Sequence, residues 1–558
     1  MRIGAHIFAI AAAVLAGAKA YSQSTVWSAD GSGPGEHAGA ALAAAADMDG
    51  DGAADLAEGA PGDPGTPGSL GRVRLRSGRT GSVLWTRIAG TPQDAFGHAV
   101  AGLGDLNQDG IGEIAAGAPL GGGASILGFL RVLDGATGAP IRDHAGAAAV
   151  DLLGAAVASL GDLDGDGVSE YAAGAPQGVE GASVGAGYVA VYSGSTGARI
   201  RVHTGSSVGD LLGWTVACAG DLDLDGIPEI AAGAPGAGSG KVHIYRGSTG
   251  VWFRTLVGGT NGDFFGGALA AIGDADGDGL SELLVGADDD DAAGNESGSA
   301  RLCSGSSGTV LFEILGTPGS ELGRAVSAAG DFDSDGYADF ALGAPAQPIA
   351  ALAGGAFELR RGRDGGRALE MVTITPASMS GAALACVGDA DGDGFPDLAL
   401  GAPGEPASAS GVLTLVRLLP IGLTPFGTEL HGCAGPHILA GSGVPFLGNT
   451  TFALGAKAAP PSALGLLLVT DQAESSGSDL FGIGVPIYCG FSQATFAAGF
   501  DFPSDALGFA GTTLPVPSSA SLAGAQFFAQ AIFAWTPPCA PSLFGLSASG
   551  GLKIQIAP

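Results

Sequence analysis

The chain has 558 residues, more than one domain needs, with 102 glycines and a formal net charge of −32. A pI near 4.3 argues against nucleic acid or an anionic membrane as a partner. Glycine at this level would mark a disordered chain if it were aperiodic; here it falls at turns between apolar stretches, so the class is folded and repetitive.

The N-terminus reads as an export signal, residues 1–20. Arg2 precedes an apolar stretch from Ile7 to Leu15, and Ala18-Lys19-Ala20 supplies the small-x-small cleavage pattern. Cleavage after Ala20 leaves a mature chain that is secreted or held at the cell surface. No later apolar run approaches the length that spans a bilayer.

Seven acidic nonapeptides follow: DMDGDGAAD, DLNQDGIGE, DLDGDGVSE, DLDLDGIPE, DADGDGLSE, DFDSDGYAD and DADGDGFPD, their first residues 53 to 59 apart. A period of that length held over seven copies is the mark of a repeat architecture. Oxygen ligands recur at places 1, 3, 5 and 9, with glycine at place 6 for the sharp turn. The candidate metal ligands are Asp47, Asp49, Asp51 and Asp55; Asp105, Asn107, Asp109 and Glu113; Asp162, Asp164, Asp166 and Glu170; Asp221, Asp223, Asp225 and Glu229. They continue with Asp274, Asp276, Asp278 and Glu282; Asp331, Asp333, Asp335 and Asp339; and Asp389, Asp391, Asp393 and Asp397. A hard, all-oxygen set of this kind points to calcium, up to seven ions. Ordinary acidic turns are the alternative, but seven copies in phase argue against accident.

Each loop is preceded by an alternating stretch such as LLGAAVASLGD and followed by a short apolar run ending in Gly-Ala-Pro, such as EYAAGAP. An EF-hand would place helices there and a glutamate at place 12, which only Glu58 offers. A third strand (VRLRSG, VAVYSG, VHIYRG) and a turn of the SGSTG type lead to a fourth, such as SVLWTRIAG. Four short strands per repeat describe a propeller blade.

The order FG, acidic loop, GAP resembles the FG-GAP repeats of the integrin alpha-subunit N-terminal propeller, over about residues 24–418. The FG pair is literal at Phe96-Gly97 and Phe265-Gly266; Leu153, Leu212, Leu322 and Ser380 stand before the glycine elsewhere. Acidic loops in all seven blades depart from the integrin pattern and favour a bacterial-type secreted relative. The resemblance implies an all-β, seven-bladed propeller with calcium loops on the lower face and partners docking on the opposite one. Asp94, Asp151, Asp210 and Asp263 recur on that docking face, as turn formers or as ligand contacts.

Trp27 in STVWSA and Trp85 in SVLWTRIAG lie 58 apart, the offset of Asp47 from Asp105. STVWSA therefore reads as a fourth strand that completes the last blade, which hides sheet edges. The propeller is expected to span 21–419. Residues 420–558 hold 13 of the 24 phenylalanines and short strand-like runs between Gly/Pro/Ser turns, which suggests a smaller β-sandwich.

Six cysteines divide between the units. Cys218, Cys303 and Cys386 read as small buried hydrophobes, while Cys433 or Cys489 could pair with Cys539. No CxxC or close His spacing supports zinc. The G-x-S-x-G matches at Gly181 and Gly205 lack the helix a nucleophile elbow needs, and GAGSGKV at Gly236 lacks the Ser/Thr of a phosphate loop. The reading is a secreted, calcium-stabilised adhesion or interaction module for an extracellular protein or glycan, and not an enzyme. The alternatives are an extracellular propeller hydrolase or lyase and a structural surface-layer or matrix component.

Overall fold

The computed structural model describes residues 25–418, apart from 64–67, 124–125, 179–184, 334, 350–351, 373–377, 393–394 and 405–409, together with short strands between 423 and 555. Seven four-stranded antiparallel sheets account for residues 25–418. Blade 1 comprises Ala41–Ala45, Asp55–Ala60, Arg72–Arg76 and Val83–Ile88. Blade 3 repeats the plan with Ala156–Gly161, Glu170–Ala175, Tyr188–Tyr192 and Arg199–Thr204, as does blade 4 with Val216–Gly220, Glu229–Ala234, Lys241–Tyr245 and Trp252–Val257.

Blade 7 is built from both ends of the propeller. Ala383–Gly388, Asp397–Ala402 and Val412–Arg417 supply three strands, and Thr25–Asp30 pairs antiparallel with Val412–Arg417 as the fourth. The first strands of successive blades are neighbours all the way round, and Ala383–Gly388 lies beside Ala41–Ala45 to close the ring. The fold is an all-β, seven-bladed propeller. Closure leaves no blade without a neighbour on either face.

That geometry explains the second strands. Glu170–Ala175, Glu229–Ala234 and Glu282–Ala287 are buried at every residue, because each blade is packed on both faces. Such strands read as continuous small apolar runs rather than as an alternation. The core is accordingly divided into layers between blades. Leu130, Val132 and Leu153 pack with Tyr171, Tyr188 and Tyr192 between blades 2 and 3, and Leu160 and Val191 with Ile230 and Tyr245 between blades 3 and 4. Cys303 is buried and unpaired and Cys218 and Cys386 partly buried, so all three behave as apolar side chains.

Among the described residues no helix is long and apolar enough to cross a membrane. The side chains of Cys433, Cys489 and Cys539 lie outside the described residues, and the strands described beyond residue 419 pair into a six-stranded, a three-stranded and a two-stranded sheet.

Candidate metal centres

Strand direction places the seven acidic loops, which join first to second strands, at one end of the ring with the turns between third and fourth strands. Each loop is wound by its own carboxylates. The place-1 acid accepts the amide of the place-6 glycine: Gly52 to Asp47, Gly110 to Asp105, Gly167 to Asp162, Gly226 to Asp221, Gly279 to Asp274 and Gly336 to Asp331, at 2.8–3.0 Å. These glycines have φ of 86–93°, a left-handed conformation that disfavours any side chain. The place-5 acid accepts the place-7 amide, as in Val168 to Asp166 at 2.9 Å and Leu280 to Asp278 at 2.9 Å. Asp393 and Gly394 of the seventh loop lie outside the described residues.

The place-9 acids do more than face the loop. Asp55, Glu113, Glu170, Glu229, Glu282, Asp339 and Asp397 are completely buried. Each accepts the place-2 amide of its own loop, for instance Leu163 to Glu170 at 2.6 Å and Ala275 to Glu282 at 2.6 Å. In several blades the second oxygen accepts the amide of the glycine that opens the next turn: Gly78 to Asp55 at 3.1 Å, Gly194 to Glu170 at 3.3 Å and Gly362 to Asp339 at 2.8 Å. One carboxylate thus braces the acidic loop against the far side of its blade. Burial pushes Asp55 up to about 6, Glu113 and Glu282 to about 7 and Asp339 to about 8, with neighbouring loop carboxylates adding to the rise. Burial thus disfavours the charged form of these acids, and a cation beside them would favour it.

The carboxylates converge as a cation would require. Ligand atoms of Asp47, Asp49 and Asp55 lie within 4.8 Å of one another, as do those of Asp105, Asp109 and Glu113; Asp162, Asp164 and Glu170; Asp221, Asp223 and Asp225; and Asp274, Asp276 and Glu282. Glu229 Oε1 and Asp333 Oδ1 are buried with no hydrogen-bond partner, and the buried Asp223 Oδ2 has only its ion pair with Arg246. Buried polar atoms are rarely left so. Hard oxygen donors with unmet acceptor capacity fit a divalent ion. Asn107 is turned with its Nδ2 donating to Glu113 Oε1 at 3.0 Å and Asp109 Oδ2 at 3.1 Å. Asp134, unremarked in the sequence reading, accepts from the same nitrogen at 3.3 Å and returns the charge that asparagine lacks.

The FG-GAP repeat family model matches residues 96–133, 213–245, 322–357 and 382–415. The chain carries FG-GAP repeats. The chain is 32% identical over 209 residues to integrin alpha-V of Gallus gallus, which covers 34% of this chain and 20% of that protein. It is 34% identical over 167 residues to integrin alpha-IIb of Homo sapiens (27% and 16%) and 28% over 221 residues to integrin alpha pat-2 of Caenorhabditis elegans (35% and 18%). The matched part therefore spans about a fifth of each of these relatives.

The FG-GAP glycines meet between blades. The FG glycine takes φ of 86–93° at Gly97, Gly154, Gly213, Gly266, Gly323 and Gly381. Its amide donates to the GAP-strand glycine of its own repeat, as Gly213 does to Gly233 O at 3.0 Å, and its carbonyl presses on that of the preceding repeat. The residue before it is buried in every FG-GAP repeat, from Phe96 at 0% exposure to Ser380 at 7%.

On this opposite end the recurring acids prove to be structural. Asp94, Asp151, Asp210 and Asp263 are buried, and they hold the turn into the FG strand. Asp151 accepts from the amides of Ala147 and Ala148 and from Tyr188 Oη at 2.8–3.0 Å. Asp210 accepts the amides of Ser206 and Ser207. The ligand-contact alternative fails because these carboxylates point inward. Ser207, the central serine of the Gly205 motif, lies in that turn, and the Gly181 motif begins outside the described residues.

Proposed function

We propose that this chain is an exported, calcium-binding adhesion or interaction module. Calcium at the acidic loops of the FG-GAP propeller would rigidify the blades, and an extracellular protein or glycan would dock at the end opposite those loops. The observation that carries the metal reading is the buried place-9 carboxylate, placed with the loop acids around a common point in several blades. Asp47, Asp49, Asp51 and Asp55 and their counterparts in the other blades would hold the ion. The integrin likeness supports the adhesion reading and the N-terminal apolar segment supports export. The loop acids make up 27 of the 55 acidic residues, so seven bound ions would bring the net charge to about −18.

The decisive experiment is thermal unfolding of the chain from Tyr21 with calcium and with excess chelator, with bound ions counted by native mass spectrometry. Sites with a Kd of roughly 0.1 mM would each contribute about 1.8 kcal/mol at ~2 mM calcium. A large calcium-dependent rise in Tm with about seven ions is expected. No shift and no bound ion would leave the loops as ordinary acidic turns.

A further inference from the structure

The seven loops share a sequence pattern but differ in what faces them. The variable element is the residue just after the third strand, opposite the place-9 acid. In blade 7 the register places Arg417 directly across from Asp397. One step beyond the Ile230–Tyr245 pair, blade 4 has Arg246 at the same place. The equivalents are Ser77, Asp134, Ser193, Ser304 and Arg361, each one step beyond the last pair between second and third strands.

We propose that this residue sets how strongly each loop depends on calcium, and that Arg246 and Arg417 make blades 4 and 7 the weakest sites of the ring. The inference rests on the calcium reading above. The Arg246 guanidinium pairs with Asp223, and that of Arg417 pairs with Asp391 through Nε and Nη2. Both partners are the place-3 acid of their loops, and both carboxylates are about nine-tenths buried. Calcium entering either loop must compete with a fixed cation for one of its ligands. In return, each loop has part of its charge neutralised when no metal is bound.

The other blades lack this latch. Arg361 in blade 6 has the same position but forks onto Asp364 at 3.1 and 3.0 Å, which leaves Asp333 Oδ1 unpartnered. Ser77, Ser193 and Ser304 turn their hydroxyls to the following turn, accepting the amides of Thr80, Thr196 and Ser307 at 3.2–3.3 Å. Arg79 in blade 1 reaches place 5, Asp51, at 3.4 Å, and that carboxylate is 27% exposed where Asp223 and Asp391 are 10% and 8% exposed. Blade 2 goes the other way, since Asp134 supplies a carboxylate beside Asn107.

A guanidinium a few ångströms from the ion weakens binding on the order of tenfold when the pair is partly buried. Calorimetric calcium titration of the mature chain, with native mass spectrometry at each step, tests this. The native protein is expected to fill five sites first and two about tenfold more weakly. The double variant Arg246→Ser/Arg417→Ser should merge the two classes, and Ser193→Arg in the native background should create a third weak site. If native chain binds calcium but neither variant changes its isotherm, this inference is overturned and the calcium reading stands. If native chain binds no calcium, both fall.

Discussion

A Cβ placed on Gly174 would stand 1.9 Å from the carbonyl oxygen of Gly213 in the next blade. The same approach recurs at every blade junction, from Gly59 against Gly97 O at 2.1 Å to Gly401 against Gly39 O at 1.9 Å. Both partners are backbone, so neither can swing aside. The glycines of FG and of GAP are therefore one packing device that sets the distance between blades.

Gly174→Ala should destabilise the propeller by at least about 3 kcal/mol, because relief requires the two sheets to separate. Gly90→Ala, at a position without positive φ and with nothing within 4 Å of the added Cβ, serves as the control for a methyl group that meets no neighbour. Denaturant midpoints of both variants in saturating calcium check this. Equal losses would mean that the contact contributes nothing.

A second device is the third residue of the fourth strand in five of the blades. Trp27 and Trp85 donate Nε1 to Gly78 O and Gly135 O at 2.6 and 2.7 Å, and Arg142, Arg201 and Arg254 donate to the corresponding turns of blades 3, 4 and 5. These are the turns whose glycines also brace place-9 acids, as Gly78 and Gly194 do. Arg201→Met keeps the apolar stem but strips the bonds to Gly247 O and Ser248 O. A loss of about 2 kcal/mol is expected by chemical denaturation. A change below about 0.5 kcal/mol would show that water replaces the hook.

Glu282→Gln keeps an acceptor for the Ala275 amide but removes the charge that burial penalises. Without metal the variant should be as stable as the native chain or more so. With calcium it should gain about 1–2 kcal/mol less. Melting curves with calcium and with chelator separate the two effects, and an undiminished calcium increment would remove Glu282 from the ligand set.

Asp151→Ala should cost about 2–3 kcal/mol, since it strands the Ala147 and Ala148 amides and the Tyr188 hydroxyl in a buried turn. Thermal unfolding measures it. A neutral outcome would reopen Asp151 as a surface contact.

His203 stacks on Tyr245 with ring centroids 3.9 Å apart, and its Nε2 has no partner. Burial pushes its pKa down from 6.5 to about 4, with Arg201 adding to the fall. The unfolded chain then binds a proton that the folded one refuses, so stability falls as pH drops from about 6.5 towards 4. His203→Phe keeps the stack and removes that proton. The native chain should lose about 2 kcal/mol relative to the variant between pH 7 and pH 4.5, by denaturant unfolding at each pH. Parallel curves would show that His203 titrates normally in the fold.

Much of the fold was legible because the repeat is covalent: spacing along the chain carries over into blade number, and Asp-x-Asp-x-Asp-Gly can close only one kind of loop. The loop acids were legible for the same reason, their partners lying within nine residues. Burial was not legible. Asp151 looks like any turn aspartate in sequence, and only the neighbouring Tyr188, 37 residues on, shows that it points inward. The second function of the place-9 acids was hidden too, since Glu170 and Gly194 meet only when the second and third strands pair.

By itself, then, the sequence determined the period, the turn chemistry and the grouping of acids in each loop, all of them local properties. The tertiary structure decided which groups those sets face. Arg246 and Arg361 occupy the same register beside similar loops, yet one pairs with the loop and the other turns to Asp364. Charge in a folded protein acts through distance in space, and chain spacing does not report that distance.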